Sequence, residues 1–339
     1  MKKRIVAMTV TMTMVSVMMI GCGAGHADLE KTNKASMDEK EVYHIAIVKQ
    51  MDHASLDEIA EAVAKELDLI AEQHKIEIQY DIYSGQGEQT TLKQIGDQVV
   101  MEQVDAIIPV ATLAAQVMAS CAQGAEIPVV YSAVSDPEAA ELTDIDYVTG
   151  TSDALNTEFI LEMMKQEDPE LKKVGLLYSL SEANSKKPIE EAKEFLKKEN
   201  IAFVEQTAST NDEVIAAASS LIAENVDAIF TPTDNVIMAA ELAIYKDLAN
   251  AGIPHYTGAD SFVRNGAYIT CGVNYTALGE KTAHLAYQAM TEGMDQIEDY
   301  YLMDGGVITV NTETAEMLGA DYTVLETLGE IVEVKTTEE

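Results

Sequence analysis

Val226-Asp227-Ala228-Ile229-Phe230-Thr231-Pro232-Thr233-Asp234-Asn235 decides how this chain folds. Its first six residues form a short, largely apolar run rich in β-branched and aromatic types, as in a buried strand of a parallel sheet. Pro232 ends the strand. Thr233, Asp234 and Asn235 are capping residues, and a helical pattern follows over Val236–Leu248. Polar side chains therefore stand at the carboxyl end of a strand and at the mouth of a helix, the place where open α/β sheets gather ligands. The same layout recurs at Val104–Thr112, Ile127–Asp136 and Val174–Ser185, so a set of loops should converge on one cleft.

Upstream, strands are predicted at Val42–Lys49, Ile76–Tyr83, Ala106–Val110, Ile127–Tyr131 and Tyr147–Gly150. Helices at Ser55–Glu72, Glu88–Val100 and Thr112–Cys121 separate the first four. The β-α alternation implies a parallel sheet with right-handed crossovers. The pattern then restarts. Helices at Asn156–Lys165, Lys186–Lys198, Asp212–Ala223 and Val236–Leu248 intersperse strands at Lys173–Tyr178, Ile201–Thr207, Ala228–Thr231, Ile253–Thr257 and Ala267–Gly272. A helix over Asn274–Glu292, a strand over Val307–Asn311 and a helix over Thr312–Leu318 are too few to enclose a core. They must complete the earlier halves, which requires several crossings and hence a hinge. The expected architecture is two α/β lobes, each a doubly wound parallel sheet, joined by a multi-strand hinge. One lobe takes 42–152 plus 274–298, the other 153–273 plus 299–325, and 326–339 is an acidic, loosely ended tail.

The 339 residues carry a formal net charge of −36, which argues against nucleic acid as a partner, since a phosphate-binding face needs clustered Lys and Arg. Gly85-x-Gly87 lacks the third glycine of a dinucleotide fingerprint. There is no Gly-x-Ser-x-Gly elbow, no Walker loop and no His-Glu-x-x-His, and the six His are dispersed without metal-ligand spacing. No cofactor, no metal and no enzymatic activity are expected; a hydrolase using Asp136 or Asp234 would need a nucleophile or metal that the sequence does not display. Cys121 and Cys271 read as small buried apolar residues. Lys2-Lys3-Arg4, the apolar run Ile5–Ile20 and Met19-Ile20-Gly21-Cys22-Gly23 resemble a bacterial lipoprotein signal. The resemblance implies a signal peptide over 1–21, lipidation at Cys22, a tether over 22–41 and a place on the outer face of the cytoplasmic membrane.

Further segments carry a second resemblance. They are Gln50-Met51-Asp52-His53-Ala54-Ser55-Leu56-Asp57, Ala111-Thr112-Leu113-Ala114-Ala115-Gln116, Ser132-Ala133-Val134-Ser135-Asp136-Pro137 and Leu177-Tyr178-Ser179-Leu180-Ser181-Glu182-Ala183-Asn184-Ser185. Pro232-Thr233-Asp234-Asn235, Gly258-Ala259-Asp260 and Gly272-Val273-Asn274-Tyr275 complete the set. In order and spacing the chain resembles the ABC transporter substrate-binding proteins of the tryptophan/tyrosine-type group, which have the type I periplasmic-binding fold. The resemblance implies a monomer that holds a small ligand, an amino acid first of all, between its lobes and passes it to a membrane permease driven by a partner ATPase. It departs from the group at Ala54, where Pro is usual, at Leu113, where Pro is frequent, and at Asn274, where an acid is common.

An amino acid needs a carboxylate for its ammonium and N–H or hydroxyl donors for its own carboxylate. Asp234 is the first choice for the ammonium, with helix capping as its other role; a cap that used one oxygen would leave the other free. Thr233 and Asn235 flank it. Glu182 is a rival, and Asp260 either caps a helix or touches ligand. Asn184 and Ser185, with Ser179 beside them, suit the ligand carboxylate, and Thr112 answers from the opposite lobe. Ser132 is preferred to the turn-forming Asp136. Gln50, Met51 and Asp52 end the first strand, with Met51 as an apolar wall. Tyr275 either stacks on ligand or packs in the hinge, Tyr83 borders the pocket mouth, and His53 reads as a loop residue. Nucleosides and sugars remain alternatives; the absence of Trp and only five Phe disfavour a sugar.

Overall fold

In the computed structural model, which describes residues 41–337, β1 (Val42–Lys49) is covered on both faces. Ile45 and Ile47 enter one core and Ala46 and Val48 another, as a continuous apolar strand requires. The chain continues through α1 (Ala54–His74), β2 (Glu77–Ser84), α2 (Gln89–Glu102), β3 (Ala106–Val110), α3 (Thr112–Ala122), β4 (Val129–Tyr131) and β5 (Val148–Ser152). It then enters a second set: α4 (Thr157–Glu167), β6 (Lys173–Tyr178), α5 (Ala183–Lys198), β7 (Ala202–Thr207), α6 (Asn211–Ala223), β8 (Ala228–Thr231), α7 (Asn235–Met238), α8 (Glu241–Asn250), β9 (His255–Thr257), α9 (Asp260–Arg264) and β10 (Ile269–Gly272). It closes with α10 (Tyr275–Glu292), β11 (Tyr301–Leu302), β12 (Val307–Asn311), α11 (Thr312–Leu318), a 3-10 turn at Tyr322–Thr327 and β13 (Ile331–Val334). The lipoprotein features, Cys22 among them, lie outside the described residues.

Two sheets result, with strand orders β11-β5-β4-β3-β1-β2 and β13-β12-β10-β9-β8-β6-β7. Every pairing is parallel except β10 with β12. In each sheet the order reverses beside its first strand, between β1 and β3 and between β6 and β8. Those two switch points are where the sheets present an open crevice at their carboxyl ends.

The chain passes between lobes three times: after β5, after β10, and between β11 and β12. The third passage differs from the sequence reading. Tyr301 and Leu302 pair with Thr151 and Ser152, so the first lobe runs to Leu302 rather than stopping at 298. The tail differs too. Ile331–Val334 adds a parallel edge strand to β12, and the Thr337 N–H donates to the Arg264 carbonyl at 2.9 Å, so 326–339 is not loosely ended over that stretch.

Two helices begin or end away from expectation, and both changes shape the site. The helix read over Val236–Leu248 breaks at Ala239–Ala240, which frees Glu241 to turn inward onto His255 at 3.1 Å. α5 starts at Ala183 rather than Lys186, so Ser185 lies inside its first turn. Gly279 lets α10 lie directly on α1, because a Cβ there would stand 2.8 Å from the Ile59 carbonyl oxygen. That close approach sets Tyr275, the first residue of α10, against the hinge.

Candidate functional site

The switch points of the two sheets face each other, and the loops after β1, β3, β6 and β8 close on one another. Among the described residues, five side-chain hydrogen bonds or ion pairs link the lobes. Gln50 Nε2 donates to Glu182 Oε1 at 2.8 Å, His53 Nε2 meets Asn235 Oδ1 at 3.0 Å, and Ser135 Oγ meets Thr233 Oγ1 at 3.1 Å. Ser55 and Ser261 share a hydrogen bond, and Lys187 pairs with Asp136 at 3.3 Å. A cavity of about 20 Å³ remains between the lobes, room for one water molecule. Admitting a larger molecule requires the lobes to separate about the three crossovers.

Asp234 lines this cavity but has no oxygen to spare. Oδ1 accepts from the Val236 and Ile237 amides, both at 3.1 Å, and caps α7. Oδ2 accepts from the Ser179 amide and the Ser185 hydroxyl, both at 2.7 Å. Four donors fill the four acceptor positions of a carboxylate. The expectation that capping would leave one oxygen free therefore fails. The Ser185 hydroxyl is consumed by this arrangement and the Ser179 hydroxyl pairs with Ser181 Oγ at 2.8 Å, and neither residue lines the cavity.

Other expected contacts are displaced as well. Gln50 and Glu182 bridge the lobes behind the cavity wall; Gln50 Oε1 accepts from the Leu113 amide at 3.1 Å, which forces its NH₂ toward Glu182. Ser132 turns onto Thr282 of α10 at 3.0 Å. Met51 packs on the core, Asp52 pairs with Lys49 at 2.7 Å, and Asp260 pairs with Arg264 at 3.1 Å. Tyr83 lies on β2 beside Gln79 and Asp81, away from the cleft. Among the residues singled out in the sequence, Thr112, Asn184, Thr233, Asp234, Asn235 and Tyr275 line the cavity.

The cavity also holds groups that the sequence reading did not select. Asp153, 4 % exposed, sits on the first crossover. Its Oδ1 accepts from Ser135 at 2.8 Å and its Oδ2 from Tyr275 at 3.0 Å, and the carboxylate keeps acceptor capacity beyond these. Burial raises its pKa, against the lowering by the two hydroxyls and by its own backbone amide. His53 lines the wall opposite. The Asn235 NH₂ donates to Glu182 Oε2 at 2.7 Å, so Asn235 Oδ1 must accept from His53 Nε2–H. Burial depresses the His53 pKa to about 4, and the neutral ring has an unprotonated Nδ1 that is buried without a partner. Asn184 donates to the Thr233 carbonyl at 2.6 Å, leaving its Oδ1 buried without a partner. Three spare acceptors thus line one small space.

Donors face them. α1 and α3 begin at the cavity with no cap from the side chains of their own N-cap residues, His53 and Ala111, and of the first-turn amides of α3 Gln50 Oε1 takes that of Leu113. Ala111, immediately before α3, is held at φ 79°, ψ 164°, and Ala133 at φ 58°. Strained backbone of this kind at a non-glycine costs on the order of 1–3 kcal/mol and concentrates at functional sites. Leu56, Met238 and Phe262 supply apolar wall. Asn274, where a carboxylate is common in the resembling group, accepts from the Ala277 amide at 2.7 Å as the cap of α10.

Glu182 gives this region a pH dependence. Burial, with the charge of Asp234 adding to it, pushes its pKa up from 4.5 to about 7. A raised carboxyl pKa stabilises the fold below the ordinary value and withdraws that contribution as pH rises through the folded one. The ligand-free protein should therefore lose melting temperature between about pH 5 and pH 7.5 by more than its Glu182→Gln variant does. Parallel pH profiles for the two proteins would refute the assignment.

Residues 44–326 match the family model described as ABC transporter substrate binding protein. The chain is 28% identical over 321 residues to the tyrosine-binding protein of Clostridioides difficile strain R20291, covering 93% of this chain and 92% of that one. Two solved structures are similar. An ABC domain from Streptococcus pneumonia in complex with L-Trp has a TM-score of 0.78 at 26% identity, covering 86% of this chain and 100% of the other. A ligand-free, open substrate-binding protein with adhesive properties from Clostridium difficile has a TM-score of 0.64 at 29% identity, covering 87% of this chain and 100% of the other. The chain thus superimposes better on the L-Trp complex despite lower identity to it, in keeping with lobes that are in direct contact.

Proposed function

The chain belongs to the ABC transporter substrate-binding protein family, and on that footing we propose that its ligand is a free amino acid held between the lobes. One observation carries the choice of ligand. Asp153, His53 Nδ1 and Asn184 Oδ1 are buried acceptors with spare capacity around one cavity, and Lys49 and Lys187 pair elsewhere. An ammonium offers three donors and no acceptor, so it satisfies all three groups at once. The amides at the starts of α1 and α3 suit the ligand carboxylate. The aromatic side chains of tyrosine and tryptophan, the ligands named for the relatives, would extend along Leu56, Met238 and Phe262.

Closure follows from binding only if ligand contacts are made to both lobes together. Here they are: His53 and the starts of α1 and α3 belong to one lobe, Asn184 and Thr233 to the other, and Asp153 to the hinge. The closed protein would then dock on a permease with its ATPase. The sequence from Lys2 to Cys22 supports lipid anchoring at Cys22 on the outer face of the cytoplasmic membrane, with the protein acting as a monomeric receptor rather than an enzyme. Thermal-shift screening against amino acids, nucleosides and sugars tests the ligand class. Tyrosine or tryptophan should raise the melting temperature, and Asp153→Asn should abolish the rise. A shift given only by a nucleoside or a sugar would overturn the reading.

A further inference from the structure

We propose that a groove on the hinge is a second small-molecule site, built for an amphipathic organic amine, and that its occupancy is coupled to lobe closure. The groove encloses about 900 Å³, within the range of small-ligand pockets. All three crossovers line it: Asp153–Asn156, Gly272–Val273 and Leu302–Gly306. Its walls mix apolar residues, Phe159, Phe195, Val273 and Leu328 among them, with polar ones such as Asn156 and Lys198.

Two features give the ligand its chemistry. Thr157, in the first turn of α4, is 1 % exposed, and its hydroxyl has no partner although it lines the groove. The rim is acidic. Glu158 is neutralised by Lys198 at 3.5 Å, whereas Glu191, Glu194 and Asp304 make no ion pair among the described residues. A molecule with an apolar body and an ammonium head fits such a groove. A carboxylate-bearing one does not, because it would face three like charges.

The coupling follows from position. Parting the lobes must turn the three crossovers, and a bound molecule touching all three favours one arrangement of them. Asp153 lines both the groove and the cleft cavity, and its bonds to Ser135 and Tyr275 tie the first crossover to the first lobe and to the start of α10. The groove does not depend on the cleft binding an amino acid, so the two readings can fail separately.

Calorimetry on the purified full chain with 2-phenylethylamine as probe tests the proposal, with 3-phenylpropionate as the anionic control. The amine should bind saturably both alone and with tyrosine at saturation, and the anion should not. Glu191→Gln combined with Glu194→Gln, both at the rim and remote from the core, should weaken amine binding at least tenfold while leaving the melting temperature unchanged. Saturating amine should shift the tyrosine Kd at least threefold, and tyrosine should shift the amine Kd by the same factor. Amine binding that tyrosine abolishes, that the double variant leaves intact, or that 3-phenylpropionate matches would overturn the site. Saturable amine binding with no change in the tyrosine Kd would overturn the coupling. If tyrosine itself fails to bind, the amine arm still decides whether the groove is a site.

Discussion

Asp153→Asn should weaken amino-acid binding by a hundredfold or more, about 3 kcal/mol, the scale for removing one partner of a buried charge pair. The substitution keeps shape and keeps one acceptor for Ser135 or Tyr275, so the fold should persist. What it removes is the negative charge proposed to face the ligand ammonium. Burial has already raised the pKa of this carboxyl, so its ionised form is held at a cost that an incoming cation relieves. The check is calorimetric affinity for tyrosine or tryptophan beside a melting curve. An unchanged Kd would remove Asp153 from the site.

Asp234→Ala has the larger effect on folding. Its two oxygens take four hydrogen bonds, from the Ser179, Val236 and Ile237 amides and the Ser185 hydroxyl, and the residue is fully buried. Alanine strands four donors that join the turn after β8, the start of α7, the end of β6 and the first turn of α5. Loss of a buried hydrogen-bonded anion and its cap should cost on the order of 4 kcal/mol, a large part of the stability of an ordinary domain. Urea unfolding should show a lower midpoint with an unchanged slope. A variant with native stability and abolished binding would instead make Asp234 a ligand contact, the role its place in the sequence suggested.

That contrast shows how far the sequence could be read. The alternation of strand and helix, the two lobes and the restart after β5 follow from apolar periodicity, which reports on faces that must be buried. The strand-end rule led to Thr112, Asn184, Thr233 and Asn235, which do line the cavity. It could not divide labour among them, because capping and ligand contact ask for the same side chains. Asp234, Ser179 and Ser185 show the outcome: three residues chosen for a ligand satisfy one another instead.

Asp153 directly follows β5, but the sequence reading ends that strand at Gly150, which leaves Asp153 beyond the strand end that the rule inspects. His53 could not be identified, because its neutral state and the direction of its spare lone pair depend on Asn235 and Glu182, 182 and 129 residues away in sequence. The strain at Ala111 and Ala133 leaves no mark in residue type, since alanine stands where glycine would have signalled a positive φ. Tyr301 and Leu302 escaped because a two-residue strand has no measurable period.

The account rests on an ammonium clamped by buried acceptors at the hinge end of the cleft. Titration calorimetry comparing tyrosine with N-acetyl-tyrosine tests that most directly, because acetylation removes the charge and two of the three donors while keeping the ring and the carboxylate. Saturable binding of tyrosine with no detectable binding of the acetylated form is the predicted result. Equal affinities for the two would contradict it.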